Sequence, residues 1–121
     1  MITRTTVTAT LALTLAACNP DAPERVGYFK SDYGNRVMAY HTPAPMPPGA
    51  AGEFLSRAMH TPGQLTIAAI YVGDTPAPGD ILTTAPDYLT AADLLFAPDF
   101  MGWTCRAVRN PVGEVSLFGE C

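Results

Sequence analysis

The alternation of apolar and polar positions divides the chain into a leading apolar run and a longer part of short periodic segments. The clearest strand signal is Gln64–Val72, which is rich in β-branched residues, largely apolar and uncharged, and which therefore predicts a central strand. The clearest helix signal is Ala50–His60, where apolar residues from Phe54 to Met59 form one helical stripe. Pro62-Gly63 follows and ends the predicted helix.

The last twenty residues predict a β-hairpin, with strands in Trp103–Arg109 and Glu114–Cys121. Between them, Asn110-Pro111-Val112-Gly113 suits a type I turn followed by a left-handed glycine. This turn sets Cys105 opposite Gly119 and puts a nearly all-apolar set of side chains on one face, which is expected to face the core. The predicted core face consists of Trp103, Cys105, Ala107, Val115, Leu117, Gly119 and Cys121.

The remaining segments carry weaker signals. Val26–Lys30 and Arg36–His41 predict a second hairpin, and Asp80–Thr84 predicts a short strand. In Pro86–Ala97, Thr90-Ala91-Ala92-Asp93 resembles the capping box at the start of a helix, and a strand at the end of this segment stays open as an alternative. The expected fold is a small α+β domain over residues 26–121, in which an antiparallel or mixed sheet carries one or two helices on one face.

Thr42–Gly49 contains four prolines in eight residues, which exclude a helix and an inner strand because proline fixes φ and lacks an amide donor. We interpret this Pro-rich arm as a connection in polyproline geometry. A docking ligand for an aromatic groove is the alternative.

The leading run, Thr5–Leu15, follows Arg4 and is uncharged but too short to span a bilayer. It has the length of the core of a secretory signal. The run ends in Leu15-Ala16-Ala17-Cys18, which resembles the lipobox of bacterial lipoproteins. An ordinary secretory signal with a chance cysteine and a non-secreted chain with an apolar start are the alternatives.

The resemblance implies that a diacylglycerol is attached to the Cys18 sulfur, that residues 1–17 are removed, and that the new amine is acylated. Several acyl chains give durable attachment, whereas a single chain is marginal. Residues 18–25 contain two prolines and predict a short tether between the lipid and the domain. Asn19 favours the outer membrane over the inner membrane, because Asp at this place retains lipoproteins of enteric bacteria in the inner membrane.

With three cysteines, one is left without a disulfide partner in a secreted protein, and lipidation of Cys18 accounts for the odd number. An oxidising envelope then favours a disulfide between Cys105 and Cys121. A two-cysteine metal site is the alternative, although the chain has no C-x-x-C pair to build it. In the predicted register Cys121 lies two residues beyond Gly119, the residue opposite Cys105, and on the same face. A bulge, or a chain end that folds back, would bring the two cysteines within bonding distance.

The charges argue against nucleic-acid binding. Removal of residues 1–17 takes away one basic residue, Arg4, and changes the formal net charge from −4 to −5. The acidic residues are scattered, and no basic patch exists to contact phosphates.

No nucleophile motif, metalloprotease motif or phosphate-binding loop occurs in the sequence. Ala39-Tyr40-His41-Thr42-Pro43 is echoed by Ala58-Met59-His60-Thr61-Pro62, which makes His41 and His60 weak candidates for a metal or proton-transfer pair. The alternative is that each Thr-Pro simply ends a helix or strand and that the preceding histidine is incidental, since no third metal ligand is evident. Arg106, near Phe118 and Glu120 across the predicted hairpin, is interpreted as a packing and charge pair.

The expected function is therefore that of a lipid-anchored envelope protein that binds another envelope protein or supports a surface assembly, without catalysis or cofactor. One alternative is an inhibitor of a periplasmic or foreign enzyme, by analogy of size and anchoring with small disulfide-containing lipoproteins that inhibit lysozyme, whose motifs are absent here. Another is a small hydrolase or metal-binding protein that uses the two histidines.

Overall fold

The computed structural model describes residues 22–59 and 64–121. Within them the protein forms five strands, three α-helices and one 3-10 turn. The strands are β1 (Glu24–Lys30), β2 (Arg36–Thr42), β3 (Thr66–Val72), β4 (Cys105–Arg109) and β5 (Val115–Gly119). The helices are α1 (Ala50–Ala58), α2 (Asp80–Thr83) and α3 (Tyr88–Leu94), and the 3-10 turn is Pro98–Phe100. The lipobox and His60 lie outside the described residues.

The strands form one mixed sheet in the order β1-β2-β3-β4-β5. β2 and β3 are parallel, and every other neighbouring pair is antiparallel. A parallel pair needs a crossover, and the predicted helix, α1, supplies it between β2 and β3. β3 lies at the centre and is buried over six of its seven residues, so the prediction of a central strand is confirmed.

Helices cover both faces of the sheet. One core contains Met38 and Ala68 and is closed by Leu55 of α1. The other contains Val37 and is closed by Ala91 of α3, together with α2. The predicted α+β class is confirmed, but the helices occupy two faces rather than one. The physical reason is that β2 and β3 are apolar at consecutive positions, so each face of the sheet must be removed from water.

Two local predictions were wrong. Asp80–Thr83 is a helical turn rather than a strand, since the Gly79 carbonyl accepts from the amides of Leu82 and Thr83. The predicted helix over Pro86–Ala97 exists as α3, but its cap is Asp87, whose carboxylate accepts from the Thr90 amide at 2.8 Å. The proposed capping box therefore lies inside the helix.

The two edges of the sheet differ. At the β1 edge the register shifts between Arg25 and Gly27, and the Tyr28 amide donates to Thr83 Oγ1 at 3.1 Å. A Cβ at Gly27 would lie 2.3 Å from the Pro78 carbonyl oxygen, so the segment leading into α2 lies directly on this edge. At the opposite edge all five residues of β5 are exposed. Bulges and covering segments protect sheet edges, and in the part of the chain that the structure describes the β1 edge has both while the β5 edge has neither.

Candidate functional site

The C-terminal hairpin has the predicted register, with Cys105 opposite Gly119 and Ala107 opposite Leu117. The predicted core face is correct for β4, where both of these β4 residues are fully buried. It is wrong for Trp103, which packs against the opposite core because it precedes β4 and its indole N–H donates to the Leu95 carbonyl. It is also wrong for β5, where Leu117 retains 47% of its exposure. The reason is that α1 reaches only the inner side of β5, where Leu117 Cδ1 comes 2.8 Å from the place a Cβ on Gly52 would occupy.

A disulfide between Cys105 and Cys121 is present, with a Cα–Cα distance of 5.0 Å. Gly119 adopts φ +89°, and the chain after β5 folds back over β4. The Glu120 amide donates to the Thr104 carbonyl at 2.7 Å, and the Gly52 amide donates to the Cys121 carbonyl at 3.0 Å. These bonds join the end of the hairpin to both β4 and α1, so β5 is held in place although it is exposed.

The backbone of β5 has free hydrogen-bonding groups on its outer side. At one end of the β4–β5 ladder the Asn110 amide donates to the Glu114 carbonyl, and at the other end the Glu120 amide donates to the Thr104 carbonyl. In an antiparallel ladder, hydrogen-bonded residue pairs alternate with pairs that are not hydrogen-bonded. Because Glu114 and Glu120 both belong to hydrogen-bonded pairs, the even-numbered residues between them also form backbone hydrogen bonds to β4. Val115 and Leu117 therefore direct their N–H and C=O groups away from the sheet. Within residues 22–59 and 64–121, no hydrogen bond to those groups is found.

Apolar side chains line both faces of this edge. Val115 and Leu117 lie on the α1 side, and Phe118, with 42% of its area exposed, lies on the other. Apolar residues on both faces of an exposed strand are unusual, because a strand at the surface normally alternates with polar residues toward water. We use the name β5 surface for the side chains of Val115, Leu117 and Phe118 together with the outward-facing backbone N–H and C=O groups of Val115 and Leu117.

Phe118 belongs to a cluster around Arg106. The guanidinium carbon lies 4.2 Å from the ring centre of Phe96, 4.7 Å from that of Trp103 and 4.9 Å from that of Phe118. Each such contact contributes about 0.5–1 kcal/mol at an exposed site. The stack fixes the orientation of Phe118 at the edge of the sheet.

The electrostatic state of Arg106 follows from this packing. Burial lowers its pKa, and the neighbouring Tyr71 opposes that shift. The expected packing of Arg106 on Phe118 is confirmed, whereas the described residues contain no ion pair between Arg106 and Glu120. The Glu120 carboxylate is therefore not neutralised from within the hairpin.

Acidic residues flank β5 at both ends. Glu114 precedes the strand and Glu120 follows it, and both are exposed. The Asn110 side chain accepts from the Glu114 amide at 2.9 Å and donates to its carboxylate at 3.4 Å, which fixes the position of Glu114. The β5 surface is thus an apolar strip with one negative charge at each end.

Residues 43–49 of the Pro-rich arm form neither helix nor strand, as predicted. The prediction is wrong for Thr42, which is the last residue of β2 and is buried, because it precedes the first proline of the arm and pairs with Val72 of β3. It borders a groove of about 360 Å³ beside the end of the hairpin. The groove is lined by residues 45–49 with Ala51, Val72, Thr104, Glu120 and Cys121. The arm lies next to the disulfide and extends the surface at that end of the sheet.

His41 has a structural partner. Its Nε2 lies 2.7 Å from the Gly73 carbonyl oxygen and links the end of β2 to the loop after β3. His60 falls outside the described residues, and in the described part of the chain no three His, Cys, Asp or Glu side chains converge as metal ligands. The same part of the chain has no helix with the length and apolarity to cross a bilayer.

The described residues form an α+β fold in which the β1 edge of the sheet is covered and the β5 edge is open. No protein-family model, no curated protein and no solved structure matches the chain. The reasoning from sequence alone missed the β5 surface. The signal that identifies it is Val-Ser-Leu-Phe-Gly, an uncharged stretch that places apolar side chains on both faces of the last strand.

Proposed function

We propose that this chain is a lipid-anchored envelope protein whose α+β domain binds another envelope protein without catalysis. The anchoring part of the proposal rests on the lipobox, Leu15-Ala16-Ala17-Cys18. The binding part rests on one observation, the β5 surface, where a strand fixed by the disulfide and by α1 exposes apolar side chains on both faces.

The position of the tether is compatible with both parts. Glu24, the first residue of β1, pairs with His41 near the end of β2. The chain from Cys18 to Glu24 spans about 20 Å at most when extended, so an anchored domain stays close to its membrane. β1 and β5 are opposite edges of the sheet. An anchor attached through β1 therefore leaves the β5 surface accessible from the side.

The test is site-specific photo-crosslinking in intact cells. A photoreactive phenylalanine analogue is placed at Ser116, an exposed position in β5, and in a control protein at Tyr33, an exposed residue of the β1–β2 turn. We expect a discrete crosslinked envelope protein from position 116 and none from position 33. The same products from both positions, or none from either, would contradict a binding role for the β5 surface.

A further inference from the structure

We propose that the partner docks by adding an extended strand to the free edge of β5, and that this strand carries alternating apolar residues between basic residues at both ends. The proposal deepens the proposed function, because it names the class of segment that the β5 surface recognises. In strand addition, backbone hydrogen bonds supply affinity and side-chain positions supply specificity.

Among the described residues, the β5 edge is available for pairing while the β1 edge is covered. Val115 and Leu117 direct backbone donors and acceptors outward, and each residue of β5 is exposed. The β1 edge has a register shift and is occupied by Thr83 Oγ1, which accepts from the Tyr28 amide. Among residues 22–59 and 64–121, one edge of the sheet is therefore covered and the other is open, so the open β5 edge is the place where an incoming strand can pair.

The charge pattern of the β5 surface selects the ends of the partner strand. Glu114 and Glu120 are the first and last residues of a seven-residue segment that contains β5. A strand that pairs along the whole of β5 places its own terminal residues beside these two carboxylates. Opposite charges directly across a ladder stabilise the pair, and like charges destabilise it. Because both ends of β5 are acidic, basic residues at both ends of the partner fit in either strand direction.

Like charges disfavour a second copy of this chain as the occupant. An antiparallel pair of two β5 strands that overlaps fully is centred on Leu117 of both copies. That register places Glu114 of each copy opposite Glu120 of the other, which gives two like-charge pairs. Registers shifted along the strand avoid this repulsion only by losing ladder bonds.

The two faces of β5 select the side chains between the basic ends of the partner strand. Partner residues opposite Val115, Leu117 and Gly119 lie on the α1 side, beside exposed apolar area, and are expected to be apolar. Residues opposite Ser116 and Phe118 lie on the face of the Arg106 stack, where threonine packs beside the ring and stays in contact with water. A matching seven-residue probe is Lys-Val-Thr-Val-Thr-Val-Lys.

The first experiment measures binding of this peptide to the full-length protein in detergent by fluorescence anisotropy. The control is Glu-Val-Thr-Val-Thr-Val-Glu, which has the same strand-forming core. We expect the Lys peptide to bind about tenfold more tightly, from two charge pairs across the ladder. The variant Glu114→Lys/Glu120→Lys is expected to reverse that preference. Equal affinities, an unchanged preference in the variant, or no binding of either peptide would overturn the proposal.

The second experiment tests the backbone directly. Leu117→Pro removes an N–H that points away from β4, a position where proline is tolerated in an edge strand. Leu117→Ala removes the side chain and keeps the N–H. We expect Leu117→Pro to abolish peptide binding and Leu117→Ala to retain it with reduced affinity, each in a protein whose disulfide is formed. A folded Leu117→Pro protein that binds normally would overturn strand addition, and if the variant does not fold, the charge reversal decides.

Two further outcomes separate this inference from the proposed function. If the crosslinked partner at Ser116 persists in Leu117→Pro, the protein-binding role stands and strand addition is wrong. If the full-length protein forms dimers that Leu117→Pro abolishes, the occupant is a second copy and the basic-strand proposal is overturned.

Discussion

Gly119 is the residue on which closure of the C-terminal hairpin depends. Its φ of +89° is a backbone conformation that residues with a side chain rarely adopt, and a Cβ there would lie 2.4 Å from the Thr104 carbonyl oxygen. We expect Gly119→Ala to lower the free energy of unfolding by about 1–3 kcal/mol from backbone strain, with a further loss from the clash. Chemical denaturation under oxidising conditions measures it.

Gly49 provides the matched control for that prediction. It has φ +82°, and a Cβ added to it meets no atom within 4 Å. Gly49→Ala therefore isolates the strain of the left-handed conformation, and the difference between the two variants reports the close contacts of a Cβ at position 119 with Thr104 and the Trp103 ring. Equal losses in the two variants would show that the close approach to Thr104 does not contribute.

Asp87 gives a pH-dependent prediction. Its exposed carboxylate accepts from the Thr90 amide, and this backbone hydrogen bond lowers its pKa below the ordinary value for aspartate. A lowered folded-state pKa contributes stability above the unfolded-state pKa, and this contribution is lost as the pH falls through the folded-state pKa. We expect Asp87→Ala to lower the thermal midpoint at pH 7 and to have a smaller effect in strong acid.

Asp87→Asn is the control for the charge. Asparagine caps helices as well as aspartate does but does not titrate. This variant is expected to stay close to the original protein at pH 7 and to lose the acid dependence contributed by this position. A thermal midpoint at pH 7 as low as that of Asp87→Ala would argue that the charge, rather than the hydrogen bond, stabilises α3.

At the scale of elements, the disulfide stabilises the C-terminal hairpin. Cys105 and Cys121 are 16 residues apart, and a crosslink that closes a loop of this length stabilises by about 3 kcal/mol in the chain-entropy account. Cys105→Ala/Cys121→Ala is expected to lose about this amount in urea denaturation. Alanine suits position 105, which is fully buried. A loss below about 0.5 kcal/mol would show that the crosslink adds little to the native contacts of the hairpin.

The helices illustrate how far local patterns reach. Ala50–Ala58 was predictable because an apolar stripe and a following Pro-Gly agree over several turns. Asp80–Thr83 was not, because four residues are too few to distinguish a period of 3.6 from a period of 2. What decides the conformation there is the Gly79 carbonyl, which accepts from two amides, and the contact of this segment with β1.

At the scale of the whole molecule, the anchor is the central prediction. We expect the protein extracted from membranes to have lost residues 1–17 and gained acyl chains, with a two-hydrogen mass gain on reduction of the Cys105–Cys121 disulfide. Cys18→Ser is expected to release it into the soluble fraction. Intact mass spectrometry with and without reductant checks both. A soluble, unacylated product from the unaltered chain would contradict the anchor and leave Cys18 as a thiol.

Short-range periodicity and turn residues were enough to predict all five strands, the main helix and the hairpin register, although they also predicted a strand at Asp80–Thr84 that is a helical turn. The odd number of cysteines favoured the pairing of Cys105 with Cys121, which the structure contains. Three features were not predictable from the sequence: helices cover both faces, β1 is covered, and no described element covers β5. Those properties depend on which element lies beside which, and the apolar pattern of Val115 and Leu117 is the same whether the strand is central or at an edge. The β5 surface exists because no described element covers the last strand, so it is visible only once the whole sheet is assembled.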